Sequence, residues 1–239
     1  MPWPMTIVTG RVALVVAYRK QRLAEEENHR AREENERARQ AARREDTKLY
    51  AERFDKAGDK LGAESAAVRL AGVHALAALA DDWDGGRQMC IDVLCAYLRM
   101  PPELEPDAKH GPSAHGTWLA MREVRTTIIR LIATHLRADA STPWHGADLD
   151  FTGVGFGEDG DTEGADFTNA VFSGGTVSFA STGFSGAVVT FDGAEFTGGE
   201  VDFTGVTNWS RPPDGLPASA PGLKLPPKLT PPAAPESAD

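Results

Sequence analysis

The residues suited to chemistry are few and scattered. The stretch DGDTEGAD (Asp159–Asp166) places Asp159, Asp161 and Glu163 at the alternate spacing of a calcium loop and follows them with Gly164. A calcium-binding helix–loop–helix needs a bidentate Glu at the twelfth loop position, where Ala170 stands. The stretch reads as a solvated acidic insertion over 157–164, with weak divalent-ion binding as the lesser alternative. His110 and His115 lie in a loop rich in Pro, His and Gly, and His74 sits among apolar neighbours as a core or boundary residue. None has a second ligand or an acid at suitable spacing. Cys90 and Cys95 are neither a C-x-x-C pair nor part of a zinc set, so buried free thiols in a reducing compartment are expected. No Gly-rich phosphate loop, nucleophile elbow or pair of catalytic carboxylates stands out, and the serines lack a His partner. The sequence predicts no enzyme, no cofactor and no metal.

Charge narrows the partners. The 239 residues carry a net charge of −10. That disfavours direct nucleic-acid binding, which needs Lys and Arg to displace counterions from phosphates. The charge is uneven. Trp144 to Ser210 holds eleven acidic residues and no Lys or Arg, so the rest of the chain is close to neutral.

Several compositional zones must position these residues. Within 1–18 an apolar run, Ile7 to Tyr18, is broken by Gly10 and Arg11 and followed by Arg19, Lys20 and Arg22. It is shorter than the ~20 residues of a membrane span, and it lacks the leading charge and cleavage site of a secretory signal. The pattern matches the second half of a membrane helix with its basic flank on the cytoplasmic side; upstream codons would complete the span. A frayed apolar terminus is the alternative. The expected location is cytoplasmic, with attachment to the inner face of the plasma membrane through 1–18 as its extension. Residues 19–57 contain no Pro or Gly and pair opposite charges at helical spacing, as in Glu33 with Arg37. Ala24, Ala31 and Ala38 recur every seven residues, but an alanine seam buries little area. A charged helical stalk is expected, with a homodimer as the minor option.

Residues 58–140 read as a helical domain. One stripe holds Val68, Ala71, Val73, Ala75, Leu76 and Leu79, and a second holds Met89, Cys90, Val93, Leu94 and Tyr97. A third buries Val124, Ile128, Leu131, Ile132 and Leu136 and turns Arg122, Arg125 and Arg130 outward. Three such helices predict an antiparallel bundle. Residues 210–239 hold nine prolines and too little apolar surface to order themselves, so a disordered tail is expected.

Between these zones, residues 144–209 carry a repeat. Phe151, Phe156, Phe167, Phe172, Phe179, Phe184, Phe191, Phe196 and Phe203 are separated by 5, 11, 5, 7, 5, 7, 5 and 7 residues. From Phe167 the period is twelve, which no helix fits and which marks a solenoid. Val177-Ser178-Phe179, Val189-Thr190-Phe191 and Val201-Asp202-Phe203 alternate in the manner of strands. Gly174-Gly175 and Gly198-Gly199 supply tight turns. Phe would then stack on Phe inside a narrow β-helix.

GADLDF (Gly146–Phe151), GADFTNAVF (Gly164–Phe172) and DGAEF (Asp192–Phe196) resemble the pentapeptide-repeat family, whose motif is A(D/N)LXX with Leu or Phe at its centre. AVRLAGVHALAALADDW, RQMCIDVLCAYLRMP and REVRTTIIRLIATHLR precede WHGADLDFTG. In order and wording the chain over 12–209 is similar to the pentapeptide-repeat-containing proteins of high-GC actinobacteria. There a membrane segment, a charged helix and a helical domain lead into a short Phe-rich block. The resemblance implies an α+β chain: a long N-terminal helix and small helical bundle followed by a short right-handed quadrilateral β-helix, the pentapeptide-repeat solenoid. The seven-residue gaps should bulge alternate corners.

Two function classes follow. The first is a non-enzymatic scaffold, tethered at the membrane, that binds a protein partner. The second rests on the resemblance: some family members mimic duplex DNA and occupy DNA gyrase. Asp148, Asp150, Asp166, Asp192, Glu195, Glu200 and Asp202 would form the interaction surface in either case. The repeat block is short for a gyrase-binding rod, so the scaffold is favoured.

Overall fold

The computed structural model describes residues 5–102, 105–107, 109, 111–157, 162 and 164–227. The chain divides into two compact units, Met1–Glu52 and Arg53–Asp239. Helix α1 (Met5–Leu61) is continuous over 57 residues, as the absence of Pro and the density of strong helix formers demand. In the first unit Glu33 pairs with His29 at 3.2 Å and with Arg37 at 3.5 Å, both one helical turn away. Such exposed pairs add only a few tenths of a kcal/mol each, ~0.2–0.5. Among the described residues no helix is long and apolar enough to cross a membrane.

In the second unit, α2 (Ala66–Asp82), α3 (Arg87–Arg99) and α4 (Gly111–Leu136) pack together. Val73, Leu76, Leu79, Ile91, Leu94, Leu98, Ile128 and Ile132 form their core. Gly72 faces the last turn of α1, where a Cβ would lie 2.6 Å from the Leu61 backbone nitrogen; only glycine permits that approach. The inward face of α2 is rotated from the expected one. Val68, Ala71 and His74 are exposed, and Gly72, Ala77 and Ala80 are buried. An Ala-rich helix has little apolar contrast between its faces, so close backbone approach at Gly72 decides the rotation. Met89, expected inward, is also exposed.

A second correction is Arg125. It is buried rather than outward, and its guanidinium lies at the C-terminus of α3. Nη1 donates to the carbonyls of Tyr97 (3.2 Å) and Met100 (3.1 Å), and Nη2 donates to the carbonyl of Leu98. Pro101 and Pro102 have no N–H to offer these carbonyls, and the cation also meets the negative end of the α3 dipole.

Nine short strands follow among the described residues: β1 (Leu149–Asp150), β2 (Gly155–Phe156), β3 (Gly164–Asp166), β4 (Val171–Ser178), β5 (Gly183–Phe184), β6 (Val188–Thr190), β7 (Glu195–Asp202), β8 (Asn208–Trp209) and β9 (Leu223–Lys224). They form three parallel sheets, ordered β1-β4-β7-β9, β2-β5-β8 and β3-β6. The protein is therefore α+β, with helices first and parallel strands after. Pairing skips one twelve-residue period: Phe172 lies opposite Phe196 and Val177 opposite Val201. Pairing of like with like builds four columns of rings. Phe151, Phe179 and Phe203 stack at 5.2 and 4.4 Å. Phe156, Phe184 and Trp209 follow at 5.3 Å each, Phe167 meets Phe191 at 5.0 Å, and Phe172 meets Phe196 at 5.2 Å. All nine phenylalanines of the repeat are buried.

The corner glycines behave differently from a simple turn. β4 and β7 run through them, with register shifts on either side of Ser173. Gly175 and Gly199 take φ of 68° and 72°. A Cβ on Gly175 would lie 2.5 Å from the Ala147 carbonyl oxygen, so the bulge needs glycine for both conformation and space.

The proline-rich segment is not a disordered tail as far as Pro227; residues 228–239 lie outside the described part. Leu223 and Lys224 pair with Val201 and Asp202 of β7. Asp214 bridges to Thr190, and Arg211 N–H donates to the Phe184 carbonyl at 3.0 Å. Too apolar-poor to order itself, the segment is ordered by the unpaired edge of the last strands.

Candidate interaction surface

The seven acidic residues expected to form a surface divide by what their carboxylates do. In three of them the residue directly precedes a core Phe and caps the bend after it. Asp150 Oδ1 accepts from Thr152 N–H at 3.0 Å, Asp166 Oδ1 from Thr168 N–H at 3.0 Å, and Asp202 Oδ1 from Thr204 N–H at 2.7 Å. Ser178, Thr190 and Asn208 make the same contact to the amide two residues on. The position thus requires a side-chain acceptor rather than a charge, the local pattern of Asx and Ser/Thr turns. These turn bonds were missed in the sequence. Their signal was a side-chain oxygen before every second Phe from Phe151 to Phe203, and again before Trp209.

Two of these carboxylates, and that of Glu200, meet cations from outside the repeat. Asp150 pairs with Arg99 at 2.8 Å, Asp166 with Arg137 at 3.2 Å, and Glu200 with Lys224 at 2.6 Å. Hydrogen bonds from Thr168 hold the Asp166 carboxyl below its ordinary range against a partial burial that opposes them, and Arg137 adds to the effect. At Asp202 burial is the largest influence and pulls upward. The hydrogen bonds from Thr204, with Lys224 nearby, together outweigh it and leave the carboxyl lowered. Asp148 Oδ1 accepts from Thr176 N–H at 2.6 Å. Asp192 and Glu195 are exposed. The repeat block therefore presents less uncompensated negative charge than its composition implies.

Helix α3 closes the free edge of the first strand. The Gln88 side-chain amide accepts from Asp148 N–H (3.0 Å) and donates to Asp148 C=O (2.8 Å), which is how a neighbouring strand would bond it. Arg99 Nη1 donates to Asp150 C=O at 3.3 Å. Further along, Trp144 is buried and stacks on His135 at 4.1 Å. Both reach Asp81 at the end of α2, Trp144 Nε1 at 3.0 Å and His135 Nε2 at 3.2 Å. Arg99, Gln88 and Trp144 thus join helices to strands, and no spacing in the sequence marks them.

The remaining candidates for chemistry are accounted for as follows. Among the described residues no group of three His, Cys, Asp or Glu could hold a metal ion. His110, Asp159, Asp161 and Glu163 lie outside the described residues. His115 meets Glu105 at 3.3 Å. Cys90 and Cys95 are buried and free. Burial pushes their thiols from an ordinary 9.0 up to about 11 and about 12. The folded state thus favours the protonated thiol. That contribution to stability is full below about pH 9 and is lost as pH rises through the folded values. In the native protein both thiols should stay unmodified by iodoacetamide at about pH 8, where a free thiol is partly ionised, and both should react once denaturant is added. Alkylation of the folded chain at the unfolded rate would overturn this.

No family model, curated protein or solved structure matches the chain.

Proposed function

We propose that the chain is a pentapeptide-repeat protein whose strand half is a short right-handed quadrilateral β-helix, and that it serves as a non-enzymatic scaffold for a protein partner. The observation that carries this reading is the ionic and hydrogen-bonded junction of helices and strands. Arg99–Asp150, Arg137–Asp166 and Gln88–Asp148 hold the helical face against the ring columns. Surfaces from both halves are thereby presented in one fixed arrangement, which favours binding with little ordering cost. The exposed Asp192 and Glu195 mark the part of the acidic set open to a partner. In this reading residues 1–18 tether the chain to the inner face of the plasma membrane, and 19–57 act as a charged stalk.

The DNA-mimic alternative is weaker. Asp150, Asp166 and Asp202 serve as turn acceptors where Ser, Thr or Asn serve equally. Four stacked strands also rise only ~14 Å at ~4.8 Å per step, against ~34 Å for one turn of DNA.

The test is photocrosslinking in cells from a benzophenone side chain placed at Asp192 or Glu195. One discrete protein adduct is expected, and its absence from both sites would sink the scaffold reading at this surface. Gyrase supercoiling should be unaffected by excess protein; inhibition would transfer the case to the mimic. Deleting residues 1–22 should release the protein from the membrane fraction, and a wild-type chain that never pellets would remove the tether.

A further inference from the structure

We propose that Arg19, Lys20 and Arg22 form a basic collar on α1 that binds anionic phospholipid headgroups. The inference rests on the tether reading, because it names the lipid that the tether meets. Before Glu25 the chain holds four basic residues and no acidic one. Three of them, Arg19, Lys20 and Arg22, fall within one helical turn directly after the apolar run that ends at Tyr18. The fourth, Arg11, lies inside that run and is not part of the collar. Arg19, Lys20 and Arg22 are exposed. Arg19 and Lys20 have no Asp or Glu within a helical turn on either side. Among the described residues no carboxylate pairs with any of the three. The nearest acid, Glu25, accepts instead from the Gln21 side-chain amide at 3.0 Å. Further along the same helix, by contrast, Glu33 is flanked by His29 and Arg37.

α1 is continuous from Met5, so its apolar run and its collar keep a fixed spacing along one axis. At 1.5 Å per residue the collar is only ~4.5 Å deep, which fits inside a headgroup layer of ~5–8 Å. Glu25, Glu26 and Glu27 begin a further ~4.5 Å along the axis and are repelled by the same anionic surface. The order apolar, basic, acidic therefore sets how far the helix can enter. A nucleic acid would offer phosphates to the collar but nothing to the apolar run beside it. Each Lys or Arg at an anionic membrane surface tightens binding about fivefold, so three together give about a hundredfold.

The experiment is co-sedimentation of the full-length protein with vesicles of phosphatidylcholine alone and of phosphatidylcholine mixed with phosphatidylglycerol. At low salt the mixed vesicles should hold the protein about a hundredfold more tightly. That preference should vanish at about 1 M salt, where the screening length falls to ~3 Å. It should vanish equally in the triple variant Arg19→Gln, Lys20→Gln, Arg22→Gln. Glutamine keeps the helix propensity of these exposed positions, and the variant should bind neutral vesicles as the wild type does. The proposal is overturned if both vesicle types bind the protein equally, or if the triple variant keeps the preference. Equal binding to both leaves the tether standing without its collar. A protein that sediments with neither removes the tether and the collar together.

Discussion

Phe179→Ala should destabilise the second unit by about 3–5 kcal/mol, as for large-to-small core changes of this kind. Phe179 is the middle ring of its column. It stacks on Phe151 and Phe203 and touches Phe184 and Phe191 edge-on or tilted. Removing it loses the transfer free energy of a buried ring, several aromatic contacts of ~0.5–1.5 kcal/mol each, and leaves a cavity. The cavity cannot collapse readily, because the strands above and below are held in register by their ladders. Against a typical total of about 5–15 kcal/mol, that is a large share of the stability and should lower the unfolding midpoint markedly. Urea denaturation followed by Trp fluorescence reads the effect. Phe196→Ala provides the internal comparison. Its ring ends a column, stacks on Phe172 and meets Phe191 tilted at 6.4 Å, two ring contacts against the four of Phe179, so its cost should be clearly smaller. Equal costs would mean the columns do not act as the core.

Arg125→Met should cost about 2–4 kcal/mol. Methionine retains the aliphatic stem in its slot but leaves the carbonyls of Leu98 and Met100 without their donor. Each buried unpaired acceptor costs ~1–3 kcal/mol. The total is reduced because a guanidinium no longer has to be desolvated. Tyr97 C=O keeps the Met100 N–H at 3.3 Å and suffers less. Arg125→Lys should fall between the two, since the charge remains at the helix terminus but a single ammonium cannot reach all three carbonyls. Hydrogen exchange at residues 94–99 should accelerate in Arg125→Met. A variant as stable as the wild type would show that desolvation cancels the three bonds.

These two residues also show what was legible in the sequence. The Phe spacing is visible because a five-and-seven alternation with small spacers matches no helical period, and because parallel stacking puts ring on ring. Arg125 was not legible. Beside Arg122 and Arg130 it reads as part of a solvated face, and the carbonyls it satisfies lie 25–28 residues earlier. Apolar patterning says nothing about where a helix end needs a donor. The acidic residues were noticed, but as charge. Their role as turn acceptors emerges only when Ser178, Thr190 and Asn208 are seen making the same bond. The proline-rich segment was misjudged because its order is borrowed from β7 and β6, not generated by its own composition.

Gln88 has a consequence for how such a molecule can change. Its amide counterfeits the strand that would precede β1, and the segment around Leu223 closes the opposite end, so each terminus recognises only the layer it touches. The interior layers recognise one another by register alone, ring over ring and glycine over glycine. A block of 24 residues, the offset between Phe172 and Phe196, is therefore a unit that could be duplicated or excised without redesigning either end. Each such edit would move the closing segment by one strand spacing, ~4.8 Å, and turn it by the twist of one layer. The length of the strand region could thus change in fixed increments while the contacts at its two ends stay the same.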